Sequence, residues 1–200
     1  MGLEPVRIAV FASGGGSDLQ AIIDACESGQ LKAVVSVVIS NNSGSGALER
    51  AGKHGISAFH FSQAVIKDAG KLEKTILNTL AEHKTDMIFL AGYLKKLSSG
   101  VLQTYENRIF NIHPSLLPKY GGKGMFGINV HTAVIESGDK ETGITIHKVI
   151  EEYDKGEIIA QRRVPVLEGD TPQVLAARVL TQEHLFIVEV LEKIIKEWQA

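Results

Sequence analysis

The chain has 200 residues, of which 44% are hydrophobic and 22% are charged. These proportions are typical of a globular protein and exclude a disordered or fibrous one. Lys and Arg number 21 against 23 Asp and Glu, so the net charge is −2, which argues against a protein that coats nucleic acid. A single cysteine, Cys26, fits a reducing compartment. No apolar run reaches the length of a membrane span, and the first residues lack the pattern of a signal peptide. We therefore expect one cytoplasmic domain over residues 1–200, without nucleic-acid or membrane partners.

Short β-branched runs alternate with longer amphipathic segments along the chain. The predicted strands are Arg7–Ala12, Ala33–Ser40, Ser57–Phe61, Met87–Ala91, Arg108–Ile112, Gly143–Val149 and Glu157–Val166. The predicted helices are Leu19–Cys26, Ala47–His54, Ile66–His83, Ser99–Tyr105, Val130–Ser137 and Thr171–Trp198, the last capped by Thr171. This order predicts an α/β fold: a mostly parallel, Rossmann-like central sheet with helices on both faces and a long C-terminal helix. Ligands of such sheets bind beyond the carboxyl ends of the strands.

A glycine run, Gly14-Gly15-Gly16, joins the first strand to the first helix. Backbone N–H groups at a helix N-terminus suit a phosphate, and Ser17 or Asp18 is expected to cap this helix. The run lacks the G-x-G-x-x-G spacing, and Asn rather than an acidic residue follows the second strand, which disfavours NAD. On this motif alone, a tight turn without a ligand is an equal alternative.

The segment Asn111–Pro118 (NIHPSLLP) carries the strongest local signal. Asn111 and His113 are two residues apart and share one face of a continuing strand. An amide N–H donor beside an imidazole suits attack on a carbonyl-type carbon, although a histidine at a strand end is often structural. Asp154, in the turn Glu151–Gly156, would raise the pKa of His113 if the two strands are neighbours. Its alternative role is that of an ordinary turn residue.

Three further features leave their roles open. Two prolines and four glycines make Pro114–Asn129 a long ordered loop, and loops of this length are usually functional. Thr181-Gln182-Glu183-His184 interrupts the apolar last helix, either as a solvated turn or as a ligand contact. His147 is expected to be a hydrogen-bonded core residue. The seven histidines are scattered, and neither H-E-x-x-H nor C-x-x-C occurs, so we expect no metal site.

Together, the segments FASGGGSDLQAI, LAGYLKKLS, NIHPSLLP, ETGITIHKV with YDKGEIIAQ, and TQEH resemble the folate-dependent phosphoribosylglycinamide formyltransferase family of purine biosynthesis. The resemblance covers almost the whole chain. It implies transfer of a formyl group from 10-formyltetrahydrofolate, as co-substrate, to the amine of phosphoribosylglycinamide, without a metal. It further implies that Asn111 and a protonated His113 stabilise the oxyanion, while Asp154 orients His113 and favours its protonated form.

The resemblance also assigns the binding residues. Those for the amine substrate are Gly14, Gly15, Gly16, Ser17, Asp18, Leu180, Thr181, Gln182 and Glu183. Those for the folate are Lys67, Leu94, Lys95, Lys96, Leu97, Asn111, Ile150, Glu151, Glu152, Tyr153 and Asp154.

The chain departs from the family pattern at several positions. Asp18 stands where Asn is common, Lys95 stands where Arg is frequent, and the loop Tyr120–Asn129 is longer than in many members. Lys67 is the candidate for a further folate-contacting Arg. The alternatives are a 10-formyltetrahydrofolate hydrolase, another folate-dependent N-formyltransferase such as one acting on a sugar nucleotide, and a phosphate- or folate-binding module. A monomer and a homodimer are both compatible with the sequence.

Overall fold

A computed structural model describes residues 4–199, so residues 1–3 and 200 of the predicted domain lie outside the described residues. One seven-stranded sheet has the order β3-β2-β1-β4-β5-β6-β7. Strands β1 to β5 run parallel, β6 pairs antiparallel with β5, and β7 pairs antiparallel with β6. The strands are β1 Val6–Phe11, β2 Ala33–Ser40, β3 Ala58–His60, β4 Met87–Leu90, β5 Ile109–His113, β6 Glu141–Lys148 and β7 Ile158–Pro165. The predicted α/β, mostly parallel sheet is confirmed.

Helices cover both faces of the sheet, and the last one is 27 residues long, as predicted. They are α1 Ser17–Glu27, α2 Gly46–Lys53, α3 Ala69–Glu82, α4 Ser99–Thr104, α5 Ile128–Ser137 and α6 Pro172–Trp198. Alternate residues of β1 pack on opposite faces. Ile8 and Val10 belong to the apolar cluster that includes α1 and α6, and Ala9 and Phe11 to the cluster that includes α3 and α4. In the described chain, no helix is long and apolar enough to cross a membrane.

The start of α3 and the cap of α1 differ from the sequence prediction. Helix α3 begins at Ala69 rather than Ile66, because the Asp68 carboxylate accepts a hydrogen bond from the backbone N–H of Lys71 at 2.6 Å. The prediction that Ser17 or Asp18 caps α1 is wrong: the cap is Gly16, in the left-handed conformation, and no side chain caps the helix. The cap of α6 is Thr171, as predicted, with its hydroxyl oxygen 3.3 Å from the backbone nitrogen of Val174.

The antiparallel addition of β6 positions the site. It pairs Asn111 with His147 and His113 with Thr145 across β5 and β6. Residues that follow β6 therefore leave the sheet beside Ile109, at the amino end of β5. The turn after β6 then returns toward the carboxyl end of β5, where Asp154 Oδ2 lies 3.7 Å from His113 Nδ1 and where the ligand site of a parallel sheet is expected.

Candidate active site

A cavity of about 650 Å³ lies beside the carboxyl ends of β4 and β5, a volume typical of small-molecule sites. Most predicted site residues line it: Asp18, Leu94–Leu97, Asn111, His113, Ile150–Asp154, Leu180 and Glu183. Gly14–Ser17 precede Asp18 in the chain and do not line the cavity, nor do Thr181, Gln182 and Lys67. Lys67 is exposed just before α3. The fold thus joins segments that are far apart in sequence into one site.

His113 ends β5 and is almost fully buried. Its Nε2 lies 2.7 Å from the carbonyl oxygen of Tyr120, so Nε2 carries a hydrogen and donates to that oxygen. Nδ1 lies 3.7 Å from Oδ2 of Asp154, which is ion-pair distance but not a hydrogen bond. The Tyr120 carbonyl therefore fixes the ring, and Nδ1 is the nitrogen left for a substrate.

Asp154 lies in a tight turn in the left-handed conformation, with φ of 54°. Its Oδ2 accepts a hydrogen bond of 2.7 Å from the backbone N–H of Gly122, which ties the turn to the long loop. A Cβ at Gly156 would lie 1.8 Å from the carbonyl oxygen of Lys148, so the turn requires glycine there. Burial raises the pKa of the Asp154 carboxyl, but His147, His113 and the Gly122 N–H together hold it below its ordinary value.

The pKa of His113 departs from the sequence expectation. Burial lowers it, the Asp154 carboxylate and the Tyr120 carbonyl raise it, and the net pKa lies below the ordinary value of 6.5. Asp154 thus acts in the predicted direction, but the cost of burying an imidazolium is larger. The role of a protonated His113 during transfer stays a prediction, and in the protein without ligand burial opposes that form.

The glycine segment forms the loop before α1. Gly16 adopts a φ of 73°, and a Cβ there would lie 2.7 Å from Cα of Ala47, so α2 packs too closely for a side chain. Arg50 of α2 donates from Nε to the Gly15 carbonyl at 2.8 Å. With no side-chain cap on α1, its first backbone N–H groups are available to an anion.

The predicted folate segments form the rim of the cavity. The backbone N–H of Leu94 donates to the hydroxyl of Ser13 at 2.8 Å, which holds the 94–97 segment against the end of β1. Lys96 Nζ lies 5.4 Å from the centre of the Tyr153 ring, a cation–π contact that joins the two segments. Exposed apolar side chains, among them Leu94 and Ile150, lie on the same rim as the charged Lys96. The rim thus suits a ligand with an apolar body and an acidic end.

The family model described as formyl transferase matches residues 6–191 of the chain. The chain belongs to the formyl transferase family.

Two relatives and one solved structure are similar to this chain over most of its length. The phosphoribosylglycinamide formyltransferase, chloroplastic, of Vigna unguiculata is 46% identical over 96% of this chain and 61% of the relative. The phosphoribosylglycinamide formyltransferase of Escherichia coli (strain K12) is 38% identical over 90% of this chain and 82% of the relative. Glycinamide ribonucleotide transformylase 1 from Geobacillus kaustophilus, a crystal structure, superposes with a TM-score of 0.88 at 38% identity, covering 96% and 99% of the two chains. The chain thus spans less than two thirds of the plant relative.

Two histidines that were not predicted as site residues, His131 and His147, line the cavity. His147 is buried and hydrogen-bonded, as predicted, and it also lines the cavity, with its Nε2 3.0 Å from Nδ2 of Asn111. His131 on α5 lines the cavity too, and its buried Nδ1 has no hydrogen-bond partner among residues 4–199. Burial, with His113 nearby, lowers the pKa of His131 to about 4. The only indication of these two histidines in the sequence is that each places a polar imidazole ring at an apolar position of a helix or strand.

The polar quartet of α6 divides between the cavity and the solvent. Glu183 is buried at the cavity wall, where burial and the nearby Asp18 raise its pKa to about 8. Thr181 is exposed and donates its hydroxyl to the Ala177 carbonyl at 3.0 Å. Within the described residues, no group of three or more His, Cys, Asp or Glu side chains is placed to hold a metal ion.

Proposed function

We propose that this formyl transferase moves the formyl group of 10-formyltetrahydrofolate to the amine of 5-phosphoribosylglycinamide, giving the N-formyl product and tetrahydrofolate in de novo purine biosynthesis. The observation that carries the proposal is that one cavity brings together Asn111, His113 and Asp154. The same cavity also reaches Asp18 of α1 and Glu183 of α6. The first three residues suit acyl-type transfer, and the two helices supply a second wall for the amine substrate. The names of the relatives support this choice of substrates.

The proposed reaction steps follow from which side-chain atoms of Asn111 and His113 remain available to the substrates. The amine attacks the formyl carbon, and the oxygen that becomes negative accepts an N–H from Asn111, whose other amide hydrogen is directed at His147. Neutral His113 takes the amine proton at Nδ1, because Nε2 already donates to Tyr120. The resulting imidazolium faces Asp154 and supports the oxyanion, then returns the proton to the leaving folate nitrogen. An oxyanion donor of this kind is worth about 10²–10³ in rate.

The two substrates enter from different sides in this proposal. The folate lies along the rim formed by Leu94–Leu97 and Ile150–Asp154, with Lys95 and Lys96 near its glutamate end. The phosphate of the amine substrate meets the backbone N–H groups before and at the start of α1, around Gly14–Asp18. Holding both reactants converts a collision into a positioned attack.

A formyl-transfer assay with and without the amine substrate tests the proposal. Release of tetrahydrofolate is expected to be slow with 10-formyltetrahydrofolate alone and to rise sharply when phosphoribosylglycinamide is added, with one N-formyl product per folate released. Formate release at a rate that ignores the amine would instead identify a hydrolase. Transfer to an amino sugar nucleotide in place of phosphoribosylglycinamide would identify another N-formyltransferase.

We further infer that residues 1–200 act as one formyltransferase domain on small molecules in a reducing, cytoplasmic compartment. The single sheet from Val6 to Pro165, the net charge of −2 and the lone Cys26 support this inference. The plant relative is named for a chloroplastic enzyme, so the compartment stays a prediction.

A further inference from the structure

A cluster of three titratable residues lies where α1 packs against α6. Asp18, the second residue of α1, and Glu183 of α6 both line the cavity, and His184 follows Glu183. The Asp18 side chain is 14% exposed, and Glu183 is 7% exposed. Two carboxyl groups are thus removed from water at the end of the cavity proposed for the amine substrate.

Two atoms of this cluster face each other without a hydrogen bond. Asp18 Oδ1 and His184 Nε2 are buried, neither has a partner among the described residues, and they are 3.6 Å apart. A buried polar atom left without a hydrogen bond destabilises the folded protein. Asp18 does not cap α1, although its charge in the first turn is favourable to the helix dipole. Its neighbour across the helix interface is His184.

The charges around the cluster favour one negative charge rather than two. Burial raises the pKa of Asp18 to about 6, opposed by His184, while burial and the Asp18 charge raise that of Glu183 to about 8. On α2, Arg50 is engaged by the Gly15 carbonyl and Gln20, and on α5, His131 has a pKa of about 4. On β7, Arg162 pairs with Glu189. Of the two buried carboxyls, Glu183 therefore holds its proton more strongly, and the pair favours a single negative charge.

We propose that Asp18 is a positioning residue for the amine substrate: held by His184, it keeps Glu183 in the form that donates an O–H to an oxygen of the phosphorylated sugar. The proposal rests on the proposed function for the identity of that ligand. Its physical reason is that a dianionic phosphate would be repelled by two nearby carboxylates. One carboxylate compensated by an imidazole, together with one O–H donor, binds the same oxygen-rich ligand.

The first test needs no substrate. Carbon-13 chemical shifts of the side-chain carboxyls in the ligand-free protein follow the ionisation of Glu183. In the wild type, Glu183 is expected to ionise at a pH near 8. Asp18→Asn removes the neighbouring charge, so the pH midpoint of Glu183 ionisation is expected to fall. Burial should still hold that midpoint above 4.5, the ordinary pKa of a glutamate side chain. Asp24→Asn is the matched control, since Asp24 is exposed on the same helix and bonds to Gln20. An unchanged Glu183 midpoint in Asp18→Asn would overturn the proposal, whatever reaction the protein catalyses.

The second test measures KM for phosphoribosylglycinamide from a pH of about 6 to about 8, the interval set by the two carboxyls. In the wild type, KM is expected to rise as Glu183 ionises, by at most about tenfold per pH unit. In Asp18→Asn, the rise in KM is expected to begin at a lower pH, because Glu183 ionises at a lower pH. Ionisation of the substrate contributes equally to both proteins, so the shift between the profiles belongs to the protein.

Glu183→Gln separates this role from a structural one. The amide keeps an N–H donor and cannot ionise, so the rise in KM over that interval is expected to disappear, and adding Asp18→Asn should then shift nothing. Parallel KM profiles in the wild type and Asp18→Asn, or a shift that persists in the Glu183→Gln background, would show that Asp18 does not act through Glu183.

Discussion

Asn111 and His147 face each other across β5 and β6, with Nδ2 of the amide 3.0 Å from Nε2 of the ring. The ring is itself fixed, because its Nδ1 lies 2.7 Å from the carbonyl oxygen of Lys148 and donates to it. Nε2 lies between the amide nitrogen of Asn111, at 3.0 Å, and Oδ1 of Asp154, at 3.5 Å, and as an acceptor it takes one N–H of the amide. One N–H of Asn111 is engaged in this way, and the second stays available to a substrate oxygen.

His147→Ala is expected to lower kcat because the amide of Asn111 loses the contact that fixes its orientation. The loss should be smaller than the about 10²–10³ expected for Asn111→Ala, which removes the oxyanion donor itself. KM for the folate should change little. Steady-state kinetics of both variants measure these effects. His83→Ala is the control, since its ring also bonds a backbone carbonyl, that of Thr79, away from the cavity. A His147→Ala enzyme with wild-type kcat would contradict this role.

This pair shows how far the sequence could predict the site. Asn111 and His113 were predictable because side chains two residues apart share a face of a strand. His147 was not, because its partner depends on β6 joining the sheet antiparallel and in one register. The alternation of strands and helices predicts that a sheet forms, but it contains no information on the register of a strand added at its edge.

Asp154→Asn is expected to lower the pKa of His113 further, since the variant loses the carboxylate that opposes burial. Nitrogen-15 shifts of the ligand-free protein should place the His113 midpoint below 6.5 in the wild type and lower still in the variant. The imidazolium formed during transfer also loses its support, so kcat should fall at neutral pH. A positioned general acid–base group contributes a factor of about 10²–10⁴ to the reaction rate.

The ratio of variant to wild-type kcat/KM, measured against pH, tests the same assignment in the working enzyme. Neutral His113 takes the amine proton, so activity is lost as pH falls through its pKa. The ratio is therefore expected to rise toward acid pH, where more His113 stays neutral in the variant. Titration of the substrate cancels in the ratio. A ratio that stays constant with pH would show that the ionisation of His113 does not govern the reaction. Activity of each protein that falls as pH rises through the pKa of His113 would show that the protonated ring is the form that reacts.

Asp18 marks the other limit of the sequence analysis. The sequence shows an acidic residue at a phosphate-type loop, for which capping of the helix was the simplest explanation. The cap instead depends on the left-handed conformation of Gly16, and the position of the Asp18 side chain depends on α6, some 160 residues later in the chain. Long-range packing of α1 on α6, rather than local propensity, gives Asp18 its neighbours.

Gly16→Ala is expected to destabilise the protein more than Gly29→Ala. Both glycines have similar positive φ, 73° and 78°, but a Cβ meets Ala47 only at Gly16, and nothing lies within 4 Å of it at Gly29. The shared conformational cost is about 1–2 kcal/mol, and overpacking adds about 1–3 kcal/mol at Gly16. Urea denaturation of both variants gives the comparison. Equal losses of unfolding free energy would show that α2 adapts to the methyl group.

The phosphate is expected to determine how well the amine substrate binds. The uncapped N-terminus of α1 has backbone N–H groups and the positive end of the helix dipole for an anion, and glycinamide riboside, which lacks the phosphate, cannot use them. Its KM should therefore exceed that of phosphoribosylglycinamide, whereas kcat at saturation should fall less, because the triad meets the same amine. Gly16→Ala is expected to move the loop and so to reduce the difference in KM between the two compounds. Gly29→Ala, at the other end of α1, should leave that difference unchanged. Equal kcat/KM for the two compounds in the wild type would place the phosphate elsewhere and remove the Gly14–Asp18 segment from substrate binding.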